Sequence, residues 1–245
     1  MSKIYFSILI FWVFSFNLYA QNSFEINYKV FPKDILENKK NLSQQTIRLV
    51  EKGAEYSRRE DYVLEIDNSS SYFFKVDKLN ANEDPLSNVY EGISESFTNF
   101  NNYVYYDLKE NYIVFNKNVI YSDYSVKRKP INFNWKIFKE YKKIKGFNAQ
   151  KAEGEYNDIL TGKKIVVQAW FINEISITTG PDIFMGLPGL IVELDLPRSI
   201  IKISKINETD NINISYTKKE KDVLSNEQFD KIISNSKDKI KEIKD

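Results

Sequence analysis

The sequence predicts a mainly β protein, a single antiparallel, strongly curved sheet or partly open barrel with a C-terminal amphipathic helix. Three observations carry this. Short runs that alternate apolar and polar residues recur along the chain, separated by turn-forming residues. Aromatic residues make up 15% of the 245 positions, mostly Tyr and Phe, which suit pleated, half-buried surfaces. No regular helices separate the runs, which argues against parallel βαβ units.

Taken in order, residues 1–20 read as a secretory signal peptide rather than as part of the fold. Lys3 supplies the positive start, Ile4 to Phe16 the apolar stretch, and Ala20 the small residue before a cleavage point at Gln21. An uncleaved anchor is the alternative reading, although the apolar run falls short of the ~20 residues a span needs. "SFEINYKVF" sets Phe24, Ile26, Tyr28 and Val30 on one side and Glu25, Asn27 and Lys29 on the other, the period of a strand. "QTIRLVE" is ambiguous. "YVLEID" and "SYFFKV" flank "NSS" as a hairpin, and "NYVYYD" and "YIVFN" flank "LKEN" as a second, which "VIYSDYSV" extends. Residues 80–100 show no clean period and read as a loop with a helical turn. "FNWKIFKEYKKIKGF" could be helical, but it lacks a cap and is rich in β-branched and aromatic residues, so strand is favoured. "NAQKAEGEY" and "KKIVVQAWFI" pair around "NDILTG", and "LIVELDL", "SIIKISKIN" and "NINISYT" supply three more strands. At the end, Phe229, Ile232, Ile233, Ile240 and Ile243 fall at helical spacing behind a Ser225–Gln228 capping box. That stripe should dock on the domain, or alternatively on a partner. With no repeat and no long linker, residues 21–245 read as one β-rich domain.

Composition narrows the chemistry. The chain contains neither Cys nor His. Histidine-dependent nucleophiles and the usual zinc sites are therefore excluded, as are disulfides and a lipoprotein anchor. After loss of Lys3 the basic and acidic residues balance at 34 each. Nucleic acid is thus not an expected partner, and the run "KRK" at 127–129 is too short for a nucleic-acid or lipid patch. No cofactor or metal site is indicated, and no transmembrane span is expected once the signal segment is removed.

Gly and Pro concentrate at 180–197. In "LPGL", 187–190, Pro188 and Gly189 occupy the positions that a type II turn needs, the glycine taking positive φ. The turn should launch a strand with Leu190, Val192, Leu194 and Leu196 on one apolar face and Glu193 and Asp195 on the other. The motif residues Gly180, Pro181, Gly186, Leu187, Pro188, Gly189, Leu190 and Ile191 therefore read as architecture.

The hexapeptide "GLPGLI", with Trp135, Gly146-Phe147, Lys151-Ala152, Ala169-Trp170-Phe171, Glu174-Ile175 and Gly180-Pro181 in order before it, resembles the GLPGLI family over residues 135–196. The family's usual Cys falls at Ala149 and its usual Pro at Ser176, and its frequent Gly-Arg pair is Gly162-Lys163. The resemblance implies a secreted protein of outer-membraned bacteria and assigns no reaction.

Candidate ligand- or partner-binding residues are Trp135, Trp170 and Phe171, with core packing as the competing role. Glu174, Asp182, Glu193 and Asp195 could form a carboxylate pair for hydrolysis or hold Ca²⁺, or simply face solvent. Lys151 could be catalytic if buried, or paired with Glu153 or Glu155. No residue is assigned as catalytic. The expected function is an exported, non-catalytic binding or carrier module for an apolar ligand or an envelope protein. The alternatives are a His-free hydrolase and a structural component of the envelope. Periplasmic, outer-membrane-associated and secreted locations all fit.

Overall fold

A computed structural model describes residues 23–36, 41–77, 84–119, 122–158, 162–209, 212, 214, 216 and 223–242. Residues 1–20, which the sequence reads as a signal peptide, and most of "NINISYT" lie outside these. The core is one twelve-stranded sheet, not closed into a barrel, in the order β12-β6-β5-β4-β3-β2-β1-β11-β10-β9-β8-β7. Strands β1 (Ser23–Pro32), β2 (Asp61–Ile66), β3 (Ser70–Lys75), β4 (Tyr103–Asp107), β5 (Tyr112–Val119) and β6 (Ser122–Arg128) form one meander. Strands β7 (Lys136–Ile144), β8 (Phe147–Asn157), β9 (Lys164–Ile172), β10 (Leu190–Asp195) and β11 (Ser199–Thr209) form another. Antiparallel pairing of β1 with β11 joins the two. The expectation of a purely antiparallel sheet is corrected at one edge. Strand β12 (Val223–Ser225) pairs with β6 in parallel, because the returning chain lays it beside that edge before entering the C-terminal helix.

Strand order and connection length together require curvature. From β6 to β7 there are ten inter-strand steps, about 48 Å if the sheet were flat. The chain covers that separation between Arg128 and Lys136, a stretch that reaches at most ~28 Å. The sheet therefore curls until its two edges approach. The connecting residues turn inward: Phe133 is buried and stacks with Trp135 at 5.2 Å, and the Phe133 carbonyl accepts from Glu155 N at 2.8 Å.

The inside of the curl is filled by the Gly/Pro segment. Residues 179–185 are buried in irregular backbone, which demands partners for its polar groups. They have them. Gly186 N donates to Thr178 O, Ile191 N to Thr179 O and Leu190 N to Ile175 O. Tyr28 of β1 donates to Ile191 O at 2.6 Å, Ser71 of β3 bonds Thr179, and Trp135 Nε1 donates to Met185 O at 2.9 Å.

The type II turn is also corrected. Gly186, not Gly189, has positive φ, at 92°. Gly189 is needed for space, since a Cβ there would lie 2.1 Å from Ile172 O. Strand β10 is buried on both faces. A bulge between Ile191 and Glu193 shifts its pairing with β9, and Glu193 is covered rather than solvated.

Two helices escaped the sequence reading. The first, α1 (Gln44–Arg59), sets Ile47, Val50, Gly53, Ala54 and Ser57 on one face, but only Gly53 and Ser57 are fully buried and most of the rest of the helix is polar, so the stripe is faint in the sequence. Local devices add to its packing, a Ser43 N-cap on Thr46 N and arginines in the last turn. The second, α2 (Ser87–Thr98), buries Tyr90, Ser94, Phe97 and Thr98. That is helical spacing, hidden because two of the four are hydroxyl residues. The third, α3 (Asn226–Glu242), is the expected C-terminal helix. Its capping box pairs Ser225 N with Gln228 Oε1 at 2.7 Å, and Phe229 packs against Phe115 of β5. Residue 243 and the side chain of Ile240 lie outside the described residues. Among the described residues no helix is long and apolar enough to cross a membrane.

Candidate functional site

The end of the curl near the C-terminus of α2 holds two neighbouring spaces. The outer one is a groove of about 790 Å³ between α2 and the ends of β2 to β5, with Tyr72, Phe74, Phe100 and Tyr103 among its walls. The inner one is a cavity of about 50 Å³ whose walls include Phe115, Arg128, Tyr156, Asp158, Asp182 and Phe229. Thr98, Asn99, Asn101 and Lys117 line both.

Local structure explains how these side chains arrive. Asn99 ends α2 in the left-handed conformation, φ 53°, which Asn tolerates. Lys117 of β5 crosses to that helix end and donates to Asn99 O at 2.8 Å and to Phe100 O at 3.3 Å, a cation where the helix dipole is negative. Burial pulls its ammonium below the usual lysine value. Asp182, also left-handed at φ 55°, accepts from both Asn101 N (2.9 Å) and Asn101 Nδ2 (2.8 Å). This clamps the Gly/Pro segment to the start of β4. Burial pushes the Asp182 carboxyl up, against the pull of Asn101 and Lys117. Burial, then the charges of Asp182 and Asp158, push Tyr156 up to about 12.

A pH effect follows from Asp182. The native state holds this proton at pH values where the unfolded chain has lost it, so its stabilising contribution is complete below the ordinary carboxylate value and fades as pH rises through the raised one. Asp182→Asn keeps an acceptor for Asn101 and removes the titration. Urea unfolding between pH 3 and 7 should show a smaller pH-dependent decline in the variant than in the parent protein, and identical curves would contradict the assignment.

The residues singled out from sequence fall in different places. Phe171 is fully buried, because alternation in β9 turns it to the core, so it is withdrawn from ligand contact. Trp135 is half-buried over Gly154, its indole N–H satisfied by Met185 O. Trp170 lies half-buried on the opposite face of the sheet from Phe171, with Lys142 Nζ 4.2 Å from its ring centroid. Its Nε1 meets no partner among the described residues. Of the carboxylates, Glu193 is bridged by Lys142 (2.8 Å) and Lys202 (3.3 Å), and Asp195 pairs with Lys33. Glu174 accepts from Asn148 N at 3.3 Å. Lys151 pairs with Glu140 and Glu153, both at 3.3 Å, while Glu155 pairs with Lys164. Of the proposed acidic set only Asp182 reaches the cavity, joined there by Asp158. No group of three or more acidic side chains that could hold a metal assembles among the described residues.

The groove and Arg128 were missed. Arg128 is the middle residue of "KRK". In an alternating strand, Lys127 and Lys129 facing solvent oblige the residue between them to face inward, and that signal was available.

Fold and site together describe a curled single-sheet β protein plugged by its own Gly/Pro segment. The model of a family described as a protein of unknown function (Porph_ging) matches residues 138–193, from within β7 into β10 and including the plug. No curated protein matches the chain. Two solved structures share the fold: PNGF-II in a C2 space group (TM-score 0.53, 14% identity) and PNGF-II in a P21 space group (TM-score 0.52, 13% identity). Each is matched over 88% of this chain. The chain spans about a third of their length, 33% and 34%.

Proposed function

We propose that the protein is an exported, non-catalytic binding module that takes an extended polypeptide segment of another envelope protein along the aromatic groove. One observation carries this. Tyr216 lies stacked on Tyr105, beside the groove, at 4.3 Å and against the groove residues Tyr72 and Tyr103 at 6.1 and 5.9 Å. Two rings of the groove wall, Tyr72 and Tyr103, thus already pack against an aromatic side chain from polypeptide. Flat aromatic rings give large contact area at low entropic cost, and the amides of Asn99, Asn102 and Asn118 can serve peptide N–H and C=O groups. An apolar ligand in place of the polypeptide, lying against the same rings, is the alternative. Export rests on the apolar run Ile4 to Phe16 and on the likeness to the GLPGLI family through Gly186 to Ile191.

The test selects the tightest binder from a library of extended aromatic-containing peptides and measures its affinity by fluorescence anisotropy. Tyr72→Ala with Tyr103→Ala should weaken binding at least tenfold, about 1.4 kcal/mol, while the remote Glu51→Ala leaves it unchanged. Equal affinity in the double variant would sink the reading, and so would a co-purified apolar ligand in native mass spectrometry with no selectable peptide. The presence of Asp158 and Asp182 in one cavity favours a second reading, hydrolysis by a carboxylate pair. Mass spectrometry of the incubated peptide separates the two: intact mass supports binding alone, cleaved mass supports hydrolysis.

A further inference from the structure

Arg128 is costly where it stands. It closes β6 opposite Ile113, half-buried, and its Nε–H is covered yet meets no acceptor among the described residues. No carboxylate comes within ion-pair distance of its guanidinium among those residues, and Asp230 of α3 acts on it only through its longer-range charge. A half-buried guanidinium with a covered, unpaired N–H is costly unless something pairs with it. Its surroundings have room for that something. Arg128 lines the inner cavity of about 50 Å³, and with Ile131 and Tyr156 it also lines a more open cleft of about 290 Å³. The cavity can hold a group the size of one or two waters, and the cleft a small organic body.

The charges select the guest. Lys117 adds a second cation to the cavity wall, its ammonium held by carbonyl oxygens rather than by a carboxylate. Asp158 and Asp182 line the same cavity, and a dianion such as phosphate would be repelled by them. A planar monoanion is not penalised to that extent, and it matches the two-pronged donor face of arginine. The apolar faces of Phe115 and Phe229 in the cavity, and of Ile131 at its mouth, suit the carbon next to a carboxylate better than they suit a hydrated inorganic ion.

We propose that Arg128 anchors a carboxylate in the inner cavity, with the rest of the acid lying in the adjoining cleft. Two sources offer this chemistry, a free small organic acid and the C-terminal carboxylate of a polypeptide. The second source rests on the groove reading, since the cavity and the groove share Asn99, Asn101 and Lys117 as walls; the first does not.

The experiment measures binding of isovalerate and benzoate to the full chain by calorimetry at fixed ionic strength, against the neutral isosteres isovaleramide and benzamide and against inorganic phosphate. The acids should bind saturably and at least tenfold more tightly than the amides, with phosphate weaker than the acids. Arg128→Gln should abolish that preference and Arg128→Lys should keep part of it. Because the Nε–H of Arg128 meets no acceptor and its guanidinium no carboxylate among the described residues, Arg128→Gln should fold with an unchanged or higher Tm. A peptide binder with a free C-terminus that loses tenfold or more on amidation identifies the polypeptide source, and acids that bind while amidation has no effect identify the small-molecule source. Equal affinity for acid and amide, undiminished acid binding in Arg128→Gln, or a Tm of that variant lowered by more than about 5 °C would each overturn the proposal.

Discussion

Gly189→Ala should leave a chain that does not fold at 25 °C, or one less stable by about 4 kcal/mol or more. The added Cβ would meet Ile172 O at 2.1 Å, Ile172 C at 2.8 Å and Asn173 Cα at 3.2 Å. All three are backbone atoms of the end of β9, and they cannot rotate away as a side-chain tip can. Relief would require parting β9 from β10, and with it a strand whose Leu190, Ile191, Val192 and Leu194 are wholly buried. Gly186→Ala is the control. It carries the unfavourable φ of 92° but has open space, with nothing nearer than Trp135 at 4.0 Å. Its expected cost is about 1 to 2 kcal/mol, the strain of a left-handed side chain. Chemical denaturation of the two variants checks the order. A milder effect at Gly189 than at Gly186 would show that the motif's central glycine serves its dihedral angle after all.

The protein should also unfold in alkali well before a typical β domain. Tyr28 and Tyr62 are almost wholly buried, and burial drives both hydroxyls far above the usual tyrosine value. Above pH 10 the unfolded chain releases these protons while the native state retains them, so stability falls as pH rises. Each tyrosine contributes a slope approaching 1.4 kcal/mol per pH unit, and the pair removes roughly 5 kcal/mol between pH 10 and 12. That is comparable with the whole stability of a modest domain. Tyr28→Phe should shed half of the slope, although it leaves Ile191 O without its donor. Tyrosinate absorbance followed beside circular dichroism decides the matter. The two signals should move together for these residues, and complete tyrosine ionisation near pH 10 with the fold intact would refute the linkage.

What the sequence made legible was whatever a short window encodes. Strand alternation, the hairpins at "NSS" and "LKEN", and the capping box at Ser225 are all local, and β7 was separable from a helix by its β-branched and aromatic content. The two early helices were not legible, because the inward face of α1 is short and broken by Gly53 and Ser57, and that of α2 mixes Tyr90 and Phe97 with Ser94 and Thr98. The parallel β12 pairing depends on where a distant segment returns. The site was hidden for the same reason. Asn101 and Asp182 stand 81 residues apart in sequence, and the inner cavity forms where the Gly/Pro segment meets the residues before β4. The positive φ was expected at Gly189 because a Pro-Gly pair signals a turn by propensity, whereas the decisive fact, the neighbouring carbonyl of Ile172, belongs to another strand.

The seam between β1 and β11 has a kinetic consequence. Within either meander each strand joins its immediate predecessor in the chain, so hairpins can zip quickly. The seam instead unites Tyr28 with Ile203 and Val30 with Ile201, partners from nearly opposite ends of the polypeptide. Contacts of such long range carry a heavy loop-closure cost and set slow rates. Refolding should therefore be governed by a late docking event in which two preformed halves meet along this single line. Until then both halves keep bare hydrogen-bonding edges exposed, and that interval is when the chain is most prone to pair with copies of itself.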